Sequence, residues 1–125
     1  MNIKTDTKER FTVITPQEAT ISANMTWELK NTLLPYIQKD IPHIVMNMGH
    51  VKNIDPEFGS ALASLQSKFY ESHCSFVICE LTEEVEKILD QNELLETMNV
   101  TPTESEAWDI LQMEEVEREL LGGEE

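Results

Sequence analysis

The chain has little positive charge and no long apolar run. Nine Lys and Arg residues stand against 24 Asp and Glu residues, so the net charge is −15. An acidic surface repels phosphate backbones, so we expect no nucleic-acid partner, whereas a protein partner with a basic face, or a role in solubility, fits the charge. No apolar run approaches the ~20 residues that a membrane helix needs, and the first residues start no signal peptide. We therefore expect no membrane insertion and a cytoplasmic location.

Cysteine is also scarce. Cys74 and Cys79 are the two cysteines, and they lie at or within one apolar strand-like segment. Because side chains alternate between the two faces of a strand, this spacing places the two thiols on opposite faces, and a disulfide between them is not expected. There is no CxxC pair, so we expect no metal site and interpret both residues as buried thiols in a reducing compartment.

The 125 residues are enough for one domain with a single core. We expect this domain at residues 1–113. Residues 114–125 are rich in glutamate and end in Gly-Gly-Glu-Glu, which predicts an acidic helix end with a frayed tail. Three scattered histidines, the lack of a Gly-rich phosphate loop and the lack of a partnered nucleophile argue against an enzyme, and no cofactor is expected.

Residues 43–68 are the most informative stretch. The apolar run at 44–48 predicts a strand covered on both faces. Asp55 is then a good helix N-cap, because its carboxylate can accept a free N–H of the first turn, and Pro56 suits the first helical position. From Phe58 the apolar spacing becomes helical. A helix start after a strand can stabilise anions, although Asp55 and Pro56 also make sense as a cap alone.

The rest of the chain alternates between strand and helix signals. Further strands are predicted at residues 1–10, 11–15, 75–79 and 99–101, and further helices at 25–38, 82–98 and from 103 onward. Pro35 predicts a kink or an early end of the first helix. The alternation predicts an α/β fold with a mixed, mostly parallel sheet of about five strands and about four helices.

Local signals also predict helix starts and one inner face. Thr82 and Thr103 are predicted N-caps, and a helix break is expected near Gln91. The inner face of the last helix is predicted to contain Ala107, Trp108, Ile110, Leu111, Val116 and Leu120.

Four segments, in this order and at suitable separations, resemble the STAS domain family of bacterial anti-sigma factor antagonists over about residues 8–112. They are residues 19–30, with Ser22 where an Asp is usual, residues 44–55, residues 76–89 and residues 100–107. The resemblance implies a STAS-like fold and a non-enzymatic binding function. It also implies a partner, an anti-sigma factor that is a GHKL-type serine kinase.

The working motif of that family, Asp-Ser-Ser/Thr-Gly at the start of the second helix, is altered here. Asp55 matches, Pro56 replaces the first Ser, Glu57 replaces the hydroxyl that the kinase phosphorylates, and Phe58 replaces the Gly. A glutamate carries one negative charge where phosphoserine carries about −1.5 to −2. Glu57 either holds the domain in a phosphorylated-like, non-binding state, or the switch is lost and the surface docks constitutively. We favour the second hypothesis.

The predicted docking face combines the first helix with the loop and helix start at 55–60. Ser60 is a weak second candidate for phosphorylation, with a plain helix-packing role as the alternative, and Phe58 is either a surface anchor or a core residue. The predicted partner-binding residues are Ser22, Asp55, Pro56, Glu57, Phe58 and Ser60. The alternative function is a STAS subunit of a larger assembly, such as a lipid-transport ATPase complex.

Overall fold

The structure, a computed structural model, describes residues 2–122. Its elements are β1 (Ile3–Thr7), β2 (Thr12–Pro16), β3 (Thr20–Ile21), α1 (Thr26–Leu33), β4 (Ile44–Asn47), β5 (Asn53–Ile54), α2 (Pro56–Glu71), β6 (Phe76–Cys79), α3 (Glu83–Gln91), β7 (Val100–Thr101) and α4 (Glu104–Gly122). Short 3₁₀ turns lie at Ala23–Met25, Leu34–Gln38 and Leu95–Thr97. Among the described residues, no helix is long and apolar enough to cross a membrane.

The main sheet has five strands in the order β1-β2-β4-β6-β7. β1 and β2 form an antiparallel hairpin, and the other neighbours pair in parallel. This confirms the predicted α/β fold with a mostly parallel sheet and four helices. β3 and β5 form a separate two-stranded parallel sheet. Neither strand was predicted from the sequence, because two residues are too few to show a period.

Helices cover both faces of the sheet, as the apolar run at 44–48 predicted. One face carries the larger apolar cluster, which includes Met46, Phe58 and Leu62. The other face carries a smaller cluster in which Val45 and Val77 meet α4. The two cysteines are free and buried on opposite faces, with Cys74 in the larger cluster and Cys79 in the smaller one.

Local signals placed several helix ends correctly. α1 ends at Leu33 and continues as a 3₁₀ turn that contains Pro35, since proline cannot donate the backbone hydrogen bond of a helix. The Thr82 hydroxyl accepts the Val85 N–H at 3.4 Å at the start of α3. Thr103 accepts the Glu106 N–H at 3.2 Å at the start of α4.

The prediction for the inner face of α4 is only partly confirmed. Ala107 and Leu111 are buried against the sheet, and Trp108 stacks on Phe11 with a centroid distance of 5.1 Å. Val116 and Leu120, however, are 54% and 69% exposed, so their predicted inward orientation is wrong. Val116 lies nine residues after the buried Ala107, and Leu120 lies nine residues after the buried Leu111. Nine residues correspond to about 180° around the helix axis, so both side chains face away from the sheet. The last three residues of the predicted frayed tail lie outside the described residues.

Candidate functional site

Asp55 connects the start of α2 to a distant part of the chain. It occupies the N-cap position, and Pro56 follows at the first helical position, as predicted. Its carboxylate, however, does not accept a hydrogen bond from its own helix. The Asp55 Oδ2 atom accepts the Ala23 N–H at 2.8 Å, so the predicted capping contact is wrong. The reason is the pairing of β3 with β5, which brings the turn after β3 next to the start of α2.

Ser22 lies on the same turn. It takes the N-cap position of the 3₁₀ turn at Ala23–Met25, but its hydroxyl donates to Asn24 Oδ1 at 2.6 Å instead of accepting a backbone N–H. The two loops are further tied by the Asp55 N–H, which donates to the Ile21 carbonyl at 3.0 Å. Ser22 and Asp55 thus lie on adjacent loops, as the predicted docking face requires.

A shallow groove of about 450 Å³ runs between α1 and the start of α2. Glu57 and Ser60 are exposed, lie three residues apart on α2 and both line this groove. Within residues 2–122, the Glu57 carboxylate has no hydrogen-bond or ion-pair partner. The remaining lining residues are Ala23, Asn24, Thr26, Trp27, Lys30 and Ala61.

Phe58 does not belong to this surface. Its ring is fully buried in the larger core cluster, so its predicted place among the partner-binding residues is wrong and the core alternative is correct. Phe58 begins the apolar stripe of α2, which faces the sheet. The adjacent Gly59 is also buried, and a Cβ there would lie 2.9 Å from Leu89 Cδ2, so α2 packs closely on α3. Of the three residues, Glu57 and Ser60 are therefore accessible to solvent, and Phe58 is not.

Trp27 is a prominent groove residue that was not among those predicted from the sequence. Its side chain is 73% exposed. Leu29 and Leu33 are the buried residues of α1, and Trp27 lies two positions before Leu29, which is off that buried stripe. This spacing was the available signal. Tryptophan is enriched at protein interfaces, because it combines a large apolar ring with a polar N–H.

The match to a family model covers most of the chain. The model of the STAS domain matches residues 2–107. The chain belongs to the STAS domain family. No curated protein is similar to this STAS domain at a significant level.

Solved structures share its fold at low sequence identity. A STAS domain protein from Planctomyces limnophilus, described as an anti-sigma-factor antagonist, is 17% identical, with a TM-score of 0.73 over 88% of this chain and 97% of that one. A serine-to-glutamate variant of RsbS from Moorella thermoacetica is 16% identical, with a TM-score of 0.74 over 90% and 96%. A murine anion transporter of solute carrier family 26 is 16% identical, with a TM-score of 0.67 over 83% of this chain but 18% of the transporter.

The groups with potential chemistry are dispersed in this STAS domain. In the part of the chain that the structure describes, no three His, Cys, Asp or Glu side chains are grouped as a metal site. Burial, with the carboxylates of Glu104 and Glu80 adding to it, raises the pKa of the Cys79 thiol to about 12, so this thiol stays protonated.

Proposed function

We propose that this STAS domain is a non-enzymatic, cytoplasmic regulator of the anti-sigma factor antagonist type. It binds an anti-sigma factor of the GHKL-type serine kinase class through the groove between α1 and α2. The docking face consists of Ser22, Trp27, Asp55, Pro56, Glu57 and Ser60. The observation that carries the proposal is that an exposed Trp27 and an exposed Glu57 line the same groove.

The two side chains supply different parts of the binding free energy. Trp27 offers a large apolar surface that a partner pocket can bury, and truncating a hot-spot residue, a class in which tryptophan is enriched, costs about 2 kcal/mol or more of binding free energy. Glu57 lies in the first turn of α2, beside the partly positive helix end. Its carboxylate suits a Lys or Arg of the partner and adds to the specificity of the contact.

Docking of this kind does not depend on phosphorylation at the usual site. Glu57 occupies the acceptor position of the family motif, and a carboxylate does not take phosphate by serine chemistry. Its single charge imitates phosphoserine incompletely, so the surface stays competent for binding. Ser60 is an exposed hydroxyl on the same groove and remains a weak candidate acceptor.

The test is an affinity pull-down from the native cytoplasm with tagged wild type and variants. Glu57→Arg reverses the charge on the groove and should reduce recovery of the GHKL-type ATPase at least tenfold, because a close charge pair contributes more than 1.4 kcal/mol. Glu84→Arg is the matched control, since Glu84 is the second residue of α3 as Glu57 is of α2, and both are exposed. Both variants should melt within about 2 °C of the wild type.

Intact masses recorded on the same samples address phosphorylation. Glu57→Ser restores a hydroxyl at the acceptor position, so a phosphate-sized mass gain on this variant alone would support loss of the switch. Equal recovery of the ATPase by wild type and Glu57→Arg would contradict the proposed docking face. Recovery of no GHKL-type ATPase by any version would contradict the partner.

The second candidate is a STAS subunit of a larger assembly such as a lipid-transport ATPase complex. It is favoured by the likeness to the anion transporter, in which this fold makes up 18% of a much longer chain. The same pull-down separates the two functions. If wild type recovers a transport ATPase and Glu57→Arg does not, the protein is a subunit of a transport assembly, and the anti-sigma proposal is wrong.

A further inference from the structure

The second half of α4 exposes a row of apolar side chains on the far side of the helix from the sheet. We name Met113, Val116 and Leu120 the outer stripe, and they are 59%, 54% and 69% exposed. They are spaced by three and four residues, so they share one helix face. Met113 lies two residues after the buried Leu111, about 200° around the helix axis. α4 is therefore apolar on two opposite sides.

Acidic side chains flank the outer stripe. Glu106, Asp109, Glu117 and Glu119 are exposed along α4. The single basic residue of the helix, Arg118, is only partly exposed, and its guanidinium donates to the Ser75 hydroxyl at 3.0 Å on the sheet side. The exposed face of α4 thus combines apolar contact with uniform negative charge.

This charge pattern argues against two of the possible occupants. A second copy of this chain would bring its own acidic α4 against the first, and each chain has a net charge of −15. Like charges in contact across such an interface repel. Helices that lie on membranes carry Lys and Arg next to their apolar face, because lipid surfaces are negatively charged, whereas α4 carries glutamates there.

We propose that the outer stripe docks a basic amphipathic helix of a protein partner. The apolar residues of that helix would cover Met113, Val116 and Leu120, and its Lys or Arg side chains would pair with Glu117 and Glu119. Recognition of a helix by an apolar strip with flanking charge is a common binding mode. This surface lies on α4, on the opposite sheet face from the groove between α1 and α2, and so adds a second docking site.

The experiment measures the affinity of a fluorescein-labelled Leu/Lys peptide of about 18 residues, long enough to be helical, by fluorescence anisotropy. Its leucines follow the three-and-four spacing of one helix face. A second peptide has the same composition with the leucines scattered. The stripe variant is Met113→Gln/Val116→Gln/Leu120→Gln, and Trp27→Gln, which removes an exposed apolar residue from the other docking face, is the control.

The stripe variant should weaken binding of the amphipathic peptide by about tenfold or more, and the scattered peptide should bind wild type similarly weakly. Trp27→Gln should bind within about twofold of wild type. This control separates the two proposals, because a failure of the anti-sigma docking face leaves the α4 result unchanged. Unaltered affinity of the stripe variant, or equal binding of both peptides, would overturn the proposal.

A second variant covers the case in which the stripe variant misfolds. Glu117→Gln/Glu119→Gln keeps every apolar residue and should lower both the affinity for the peptide and its dependence on salt. An unchanged salt dependence would count against the proposal. Two other results would also overturn the proposal. Self-association in sedimentation that the stripe variant loses would assign the surface to a second copy. Binding to phosphatidylcholine vesicles that the stripe variant loses would assign it to lipid.

Discussion

At the scale of single residues, Asp55 ties the two loops beside the groove between α1 and α2. Its carboxylate accepts the Ala23 N–H at 2.8 Å, across 32 residues of chain, and its own N–H donates to the Ile21 carbonyl. Ala23 and Asp55 begin the two segments that border the groove. One carboxylate therefore fixes the position of the turn after β3 relative to α2.

Replacing this carboxylate should cost stability. Asp55→Ala removes the acceptor for the Ala23 N–H and should lower the free energy of unfolding by about 1 kcal/mol, the usual cost of losing a helix cap. Asp55→Asn keeps an acceptor oxygen and should lose less. Urea unfolding of both variants and wild type measures the difference. An equal loss for the two variants would show that the hydrogen bond contributes little.

At the scale of elements, the second half of α4 is held to the sheet by a polar cluster around His43. His43 Nδ1 accepts the Ser75 N–H at 3.0 Å, so this nitrogen carries no proton, and Nε2 lies 3.2 Å from Glu115 Oε1. Arg10 lies 3.3 Å from the other oxygen of Glu115, and Arg118 donates to the Ser75 hydroxyl. His43 is thus neutral, and its Nε2–H donates to the Glu115 carboxylate.

Burial, followed by the positive charge of Arg118, lowers the pKa of His43 below 6.5, although the carboxylates of Glu115 and Glu114 act in the opposite direction. The unfolded chain then binds more protons than the folded one between the folded pKa and 6.5. The contribution of His43 to the free energy of unfolding is therefore fully present above pH 6.5, and it should be lost as the pH falls toward and through the pKa of His43 in the folded state.

Urea unfolding of wild type and His43→Gln at about pH 7.5 and about pH 5.5 checks this expectation. The side chain of Gln does not titrate, so wild type should lose more stability than the variant on acidification. Carboxylates that titrate in both proteins cancel in the difference. Parallel losses in the two proteins would contradict a lowered pKa for His43.

At the scale of the whole molecule, the net charge of −15 opposes folding, because the folded state brings the acidic groups closer together. Added NaCl should screen this repulsion and raise the melting temperature by roughly 4 °C, equivalent to about 1 kcal/mol. KCl at the same ionic strength should act equally. Glu117→Gln/Glu119→Gln should melt higher than wild type at low salt and gain less from NaCl. A melting temperature that falls with NaCl would contradict this account.

Much of the fold could be predicted because its signals are local. Each of these signals acts on backbone within a few residues. The strand at the apolar run 44–48, the helix starts at Thr82 and Thr103, and the early helix end before Pro35 are confirmed. The altered motif at Glu57 could likewise be read from the order of residues, and its place on the exposed start of α2 follows from Pro56 at the first helical position.

The sequence by itself determined the α/β class, the element order and the altered acceptor position, since propensity, capping and periodicity act over short distances. The tertiary structure decided which side chains form surfaces. Asp55 caps Ala23 only because β3 meets β5, and Trp27 borders Glu57 only because α1 packs beside α2. The outer stripe of α4 is exposed because it lies on the helix face opposite Ala107 and Leu111, and only the packing of α4 on the sheet decides which of its two apolar faces is buried.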